Sequence, residues 1–163
     1  MSSDPLAHPE RLIRKVYAYV AYRIGAGSEA EDVTSETFER ALRYRDSFDP
    51  RKGTPLAWLL GIARSTLAGR RLRVHEQLDA EAAVGADDIE EQVAARLDLQ
   101  AALGLLEERD RELISLRYGA DLSSKQIGEL LGLEPGAVDV SLHRARSRLR
   151  AALGEAEGEA ERV

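Results

Sequence analysis

Four arginines set the first chemical constraint. Arg144, Arg146, Arg148 and Arg150 crowd a short stretch that also holds His143. Side chains of this type on one helix hold phosphate oxygens through charge and hydrogen bonds. A second set lies upstream, where Arg64, Arg70, Arg71 and Arg73 follow the single tryptophan, Trp58. An aromatic ring beside such cations can stack on an unpaired base, although a lone Trp in a helical domain is more often core. A third set is acidic: Glu29, Glu31, Asp32, Glu36 and Glu39, with Arg40 among them. Paired carboxylates serve acid–base or metal chemistry only when other groups converge with them. Here each histidine is isolated and cysteine is absent, so an enzyme, a cofactor site and a metal site are all set aside. Taken alone, the acidic set reads as a solvated helix face, with acids well placed for the N-terminal dipole.

The alternating arginines require a helix, and the stretch from Leu122 to Arg150, LSSKQIGELLGLEPGAVDVSLHRARSRLR, supplies one. Ser123 followed by Gln126 is a capping-box start, and Ile127, Leu130 and Leu131 give the first short helix its apolar face. Gly132 stops it, and Pro135 suits the first position of the next helix. Val138, Leu142, Ala145 and Leu149 then form one inward stripe, with His143 and the arginines opposite. The pattern is a helix-turn-helix whose second helix is long and basic toward its end. An ordinary helical hairpin with a solvated basic face is the alternative.

Upstream, Leu12, Ile13, Val16, Tyr17, Val20 and Ile24 predict a first amphipathic helix, stopped at Gly25-Ala26-Gly27. Ser28 and Glu31 predict a second capping box, opening a helix with Val33, Thr37, Phe38, Ala41 and Leu42 on one side. Tyr44 to Thr54 is a loop by its Asp-Pro and Gly content. Pro55 opens a third helix, with Leu56, Leu59, Leu60, Ala63 and Leu67 toward the core. Leu99, Leu103 and Leu106 belong to a helix that follows the linker, and another is expected from Asp110 to Tyr118. No alternating strand pattern occurs, so the chain is expected to be all-α. Its 163 residues allow two small helical domains with a modest core in each.

The net charge of −6 looks wrong for a nucleic-acid partner until its distribution is read. Between Pro50 and His75 there is no acid, against six basic residues. From Glu76 to Asp98 the sign reverses, with Arg96 alone against eight acids. The expected organisation is an N-terminal domain over 6–75, a flexible acidic linker over 76–96, a C-terminal domain over 97–153 and an acidic tail over 154–163. The first residues lack the apolar run of a signal peptide, and no stretch approaches membrane-spanning length, which suits a cytoplasmic protein.

The segment SEAEDVTSETFERALRYRDSFDPRKGTPLAWLLGIARSTLAGRRLR closely resembles the second conserved region of bacterial sigma factors. LLEERDRELISLRYGADLSSKQIGELLGLEPGAVDVSLHRARSRLR resembles their fourth. With no third domain between them, the chain is similar to sigma factors of the extracytoplasmic-function (ECF) type, from Leu12 to about Leu153. The resemblance implies that the helix carrying Asp32, Glu36, Glu39 and Arg40 docks on the β′ clamp helices of RNA polymerase core. It implies that Trp58, Arg64, Arg70, Arg71 and Arg73 contact the opened −10 element. The helix-turn-helix would then read the −35 element beside the β flap, through Ser124, Lys125, Ala137, Asp139, Val140, Ser141, His143, Arg144, Arg146 and Arg148. An anti-sigma partner and a monomeric free state are also implied.

One departure from the family pattern stands out. Where relatives commonly carry basic or polar residues just inside the recognition helix, this chain has Gly136-Ala137-Val138-Asp139-Val140-Ser141. Asp139 can accept from cytosine N4 but repels phosphate. The competing readings are an ordinary helix-turn-helix regulator, binding a palindrome as a dimer, and a sigma-like interaction protein that docks on polymerase without opening DNA.

Overall fold

The structure, a computed structural model, describes residues 4–76 and 91–160, so most of the expected acidic linker lies outside the described residues. The described chain is helical: α1 Pro9–Ile24, α2 Ser28–Arg43, α3 Pro55–Glu76, α4 Glu91–Leu105, α5 Glu108–Ile114, α6 Ser124–Leu131 and α7 Pro135–Ala160. A 3-10 turn, Arg45–Ser47, follows α2, and a π-turn, Ser115–Gly119, continues α5.

Local chemistry explains most of the boundaries. At α6 the capping box closes in full: Ser123 Oγ accepts from Gln126 N–H at 3.2 Å, and Gln126 Oε1 accepts from Ser123 N–H at 2.9 Å. Gly132 stops the helix at φ 71°, in the left-handed region, and Pro135 begins α7. At α3, Thr54 Oγ1 accepts from Ala57 N–H at 3.2 Å. The box expected from Ser28 and Glu31 does not form. Gly27, at φ 138°, takes the cap position one residue earlier, and its N–H donates to Tyr17 Oη at 3.2 Å.

In the first half, α1, α2 and α3 bury Val16, Tyr19, Val20, Val33, Ala41, Leu59, Leu60 and Ala63 against one another. Val33, Thr37 and Ala41, at steps of four, form the inward line of α2. Leu42, expected inside, is 60% exposed because it lies one position past that line. Ile13 and Ile24 are also exposed. In the second half, α7 is the element on which α4, α5 and α6 all pack.

The two halves do not keep wholly separate cores. One apolar cluster runs from Val16, Tyr19 and Leu60 into Leu113, Leu116, Ile127, Val138 and Leu142. A smaller cluster holds Leu103, Leu106, Ile114 and Ala145. The bridge is the π-turn, where Ala120 N–H donates to Ser115 O, five residues back, at 3.0 Å. This wider turn lies directly against α1. Gly119 permits the approach: a Cβ there would stand 2.9 Å from Ala18 O and 2.9 Å from Tyr19 Cα. Only a residue without a side chain fits backbone so close to backbone. Fully burying a side chain such as Leu116 stabilises by roughly 1.5–3 kcal/mol, so the shared cluster is a real energetic link.

Candidate nucleic-acid interface

On α7 the apolar stripe turns inward as its spacing demands: Val138, Leu142 and Ala145 are buried and Leu149 is half-buried. Ala137, Asp139, Val140, His143, Arg144, Arg146, Arg148 and Arg150 are exposed, and Ser141 is half-buried. Val140 is an aliphatic side chain left 52% open on this face. Apolar side chains in such a position can meet a thymine methyl.

The exposed charges are not equivalent. Arg148 pairs with Asp110 at 2.6 Å, and that carboxylate is nearly buried. The hydrogen bond that Arg148 donates to Asp110, followed by that carboxylate's charge, raises the pKa of the guanidinium further. Arg146 donates to Tyr118 Oη at 3.2 Å. For Arg144 and Arg150 no ion pair occurs among the described residues. Asp139 accepts a short hydrogen bond from Ser124 Oγ, tying the start of α7 to the start of α6. Sequence spacing alone hid this bond, because the Gly132 turn brings together residues fifteen apart.

The first half presents its basic residues differently. Trp58 is half-buried, its ring 5.5 Å from that of Phe48 at 58°. Within the preceding loop, Asp49 accepts from the Arg51 backbone and guanidinium at 3.0–3.1 Å, which holds its carboxyl below the usual range. The loop and Trp58 face Lys125 and Gln126 of α6 across a cleft of about 930 Å³. Residues expected at two separate DNA elements, Trp58 and Lys125, thus share one cleft.

Each described arginine of α3 already meets a carboxylate. Arg70 Nε lies 3.3 Å from Glu36, which also pairs with Arg40 at 3.0 Å. Arg64 and Arg71 make short contacts with Glu112 and Glu108 of α5. Arg23 joins the same two acids at 3.8 and 3.5 Å. Tyr19 Oη donates to Glu112 at 3.4 Å, and burial, then the charge of Glu112, pushes its phenol pKa well up. Arg23, Glu108 and Glu112 are the functional candidates that sequence reading missed. The run from Pro50 to His75 is free of acids in sequence, yet α5 supplies them in space. The side chain of Arg73 lies outside the described residues.

On α2, Asp32 and Glu39 are exposed, whereas Glu36 and Arg40 are half-buried. Among the described residues no group of acids and histidines could hold a metal ion, and no helix is long and apolar enough to cross a membrane.

Known proteins share this arrangement of two helical units. Residues 10–74 match the Sigma-70 region 2 family, and residues 96–149 match Sigma-70, region 4. The ECF RNA polymerase sigma factor SigW of Bacillus subtilis is 32% identical, covering 83% of this chain and 81% of SigW. The chain belongs to the ECF sigma factors. ECF sigma factor BldN of Streptomyces coelicolor is 34% identical over 139 residues, but the chain spans only 53% of BldN. Among solved structures, CnrH in complex with the cytosolic domain of CnrY matches with a TM-score of 0.60 and 27% identity, covering 91% of this chain and 83% of that one. As a sigma factor the protein belongs to a family of transcription initiation factors.

Proposed function

We propose that this ECF sigma factor binds RNA polymerase core and directs both recognition and opening of promoter DNA. The supporting observation is the presence, on one chain, of two dissimilar basic surfaces. One is a capped helix-turn-helix with solvent-facing arginines, suited to duplex. The other is a helix entered through an aromatic-bearing loop, suited to an opened strand. In this reading residues 6–75 form the unit that docks on core and opens the −10 element. Asp32, Glu36, Glu39 and Arg40 face the β′ clamp helices, and Trp58, Arg64, Arg70, Arg71 and Arg73 face the displaced strand. Flipping a base out of the stack costs a few kcal/mol, which pocket contacts and those cations must offset.

Residues 97–153 form the −35 unit, placed beside the β flap. Arg144 and Arg146 hold phosphates, while Val140 and Ser141 lie near base edges. Catalysis remains with the polymerase. Because CnrH has been solved with the cytosolic domain of CnrY, a comparable anti-sigma partner is proposed for this chain, acting in the cytoplasm.

The test is run-off transcription with purified core polymerase, with and without the chain. Promoter-dependent transcripts that require the chain are expected. Sequence-specific binding of duplex DNA by a symmetric dimer, with no transcripts, would overturn the reading in favour of an ordinary regulator.

A further inference from the structure

The acids that neutralise Arg23, Arg64 and Arg71 of the first half come from α5 of the second half. Glu108 and Glu112 lie one turn apart on that short helix and together engage all three. Glu112 is 14% exposed and receives two arginines and the Tyr19 hydroxyl, so its position is built rather than incidental. The spacing of the two carboxylates gives α3 what a strand of phosphates would give it: successive negative charges along one face. Beneath them, Gly119 seats the π-turn on the α1 backbone.

We propose that Glu108 and Glu112 act as an internal mimic of nucleic-acid phosphate, holding the two halves closed over the arginines that would otherwise take the −10 strand. This rests on the proposed function for the identity of the strand, but not for the existence of the closed contact.

Distances make the closed form incompatible with promoter engagement. Elements about 25 base pairs apart lie roughly 85 Å apart along B-DNA at 3.4 Å per pair. A compact chain of this length is only about 40 Å across, from a radius of gyration of about 15 Å. Opening therefore both frees Arg64 and Arg71 and lets the two DNA surfaces separate. One event controls both. Any partner that stabilises the closed form silences the protein without covering the helix-turn-helix, and core polymerase must compete with the internal acids.

The experiment uses the full chain with Glu108→Gln and Glu112→Gln together. These changes keep size while removing the charge. Glu155→Gln, on the exposed end of α7, controls for the loss of an exposed negative charge elsewhere. Since the chain lacks cysteine, Ser65→Cys and Ser147→Cys give one dye site in each half for energy transfer. Binding of a short single-stranded oligonucleotide is measured at low salt, where charge effects are least screened.

The double variant is expected to lengthen the dye separation and to bind the oligonucleotide three- to tenfold more tightly, while Glu155→Gln matches the parent. Gly119→Ala provides an independent route, since its new Cβ pushes the halves apart without touching any charge. It is expected to show the same increase while circular dichroism shows helicity retained. Unchanged affinity in the double variant overturns the proposal, whether or not the dyes move apart. Run-off transcription by the unaltered chain tests the proposed function separately, so a failure there is not confused with a failure of the latch.

Discussion

On α7, Arg144 and Arg150 face solvent with no ion pair among the described residues, whereas on α3 Arg64, Arg70 and Arg71 each meet a carboxylate. Both helices look equally basic in sequence. The difference arises from what packs against them. The basic side of α7 is left open by the helix-turn-helix, which needs only the opposite, apolar stripe for its core. The basic side of α3 faces α5 and α2, and both present acids. A basic face is thus a function of its neighbours as much as of its own residues. Nucleic-acid affinity in the closed molecule should come chiefly from the second half.

The comparison breaks most decisively if the halves are energetically independent. Ile127→Ala removes a fully buried side chain from α6, and such truncations cost about 2–5 kcal/mol. Trp58 reports on the other half. Because Ile127 and Leu60 belong to one cluster, Trp58 fluorescence is expected to lose its thermal midpoint together with the helical signal. A fluorescence midpoint that stays fixed while half the helicity melts early would separate the two regions.

Next in size is the acidic face of α2. Asp32→Arg reverses an exposed charge and is expected to weaken core polymerase binding by about 2–3 kcal/mol, with the melting midpoint unmoved. Glu36→Arg carries a second effect. It loses the pairs to Arg40 and Arg70 and sets three cations together, so thermal stability falls as well. Pull-down of core alongside thermal melts distinguishes the two. Equal loss of stability in both would show that Asp32 supports the fold as strongly as Glu36 does.

Within α7 the same distinction operates between neighbours. Arg144→Ala is expected to weaken binding of any duplex by about 1 kcal/mol and to lower the salt slope by about one ion. Arg148→Ala is expected to do less to binding and instead to lower the stability of the helix-turn-helix, because the nearly buried Asp110 carboxylate loses its partner. A salt titration on preferred and scrambled −35 sequences reads the first effect, and denaturant melts read the second. Asp139→Ala tests the remaining contact. Freed of Asp139, Ser124 can turn to the DNA, and base preference is expected to shift.

These contrasts show how far the sequence carries. The helix-turn-helix was legible almost residue by residue, because its determinants are local: Ser123 and Gln126 one turn apart, Gly132 at a left-handed turn, and Val138, Leu142 and Ala145 at helical steps. What escaped was every contact made across the fold. Arg64 and Glu112 are 48 residues apart, and no period or spacing links them. Tyr19 lay within the first amphipathic helix but off its expected stripe, since it faces the π-turn rather than α2 and α3 alone. Gly119 carried no signal either: its φ is ordinary, and its need to be glycine comes from Ala18 and Tyr19, far back in the chain.

The smallest effect at neutral pH concerns Tyr19, and it probes the junction between the compared regions. Its hydroxyl donates to Glu112 across a long 3.4 Å contact, so Tyr19→Phe should cost under about 1 kcal/mol near pH 7. At alkaline pH the two proteins diverge. Burial and the adjacent carboxylate raise the phenol above its ordinary value of about 10, so the folded state disfavours the phenolate. A raised folded pKa means that the unfolded chain gives up the proton first. The stabilisation is therefore complete below pH 10 and drains away as pH climbs toward the folded value. The parent protein should lose stability steeply above pH 10, while Tyr19→Phe, with no proton to lose there, should lose less. Urea melts from pH 8 to 11 give the comparison, and parallel curves for the two proteins would mean that Tyr19 is open to solvent and the halves already apart. Adding Glu112→Gln should shrink the total alkaline loss only modestly and leave its onset in place, because burial outweighs the neighbouring charge in raising the folded-state value. If that substitution instead abolishes the loss as exposing the ring would, the latch acid is also what keeps Tyr19 buried, and the junction opens as a unit.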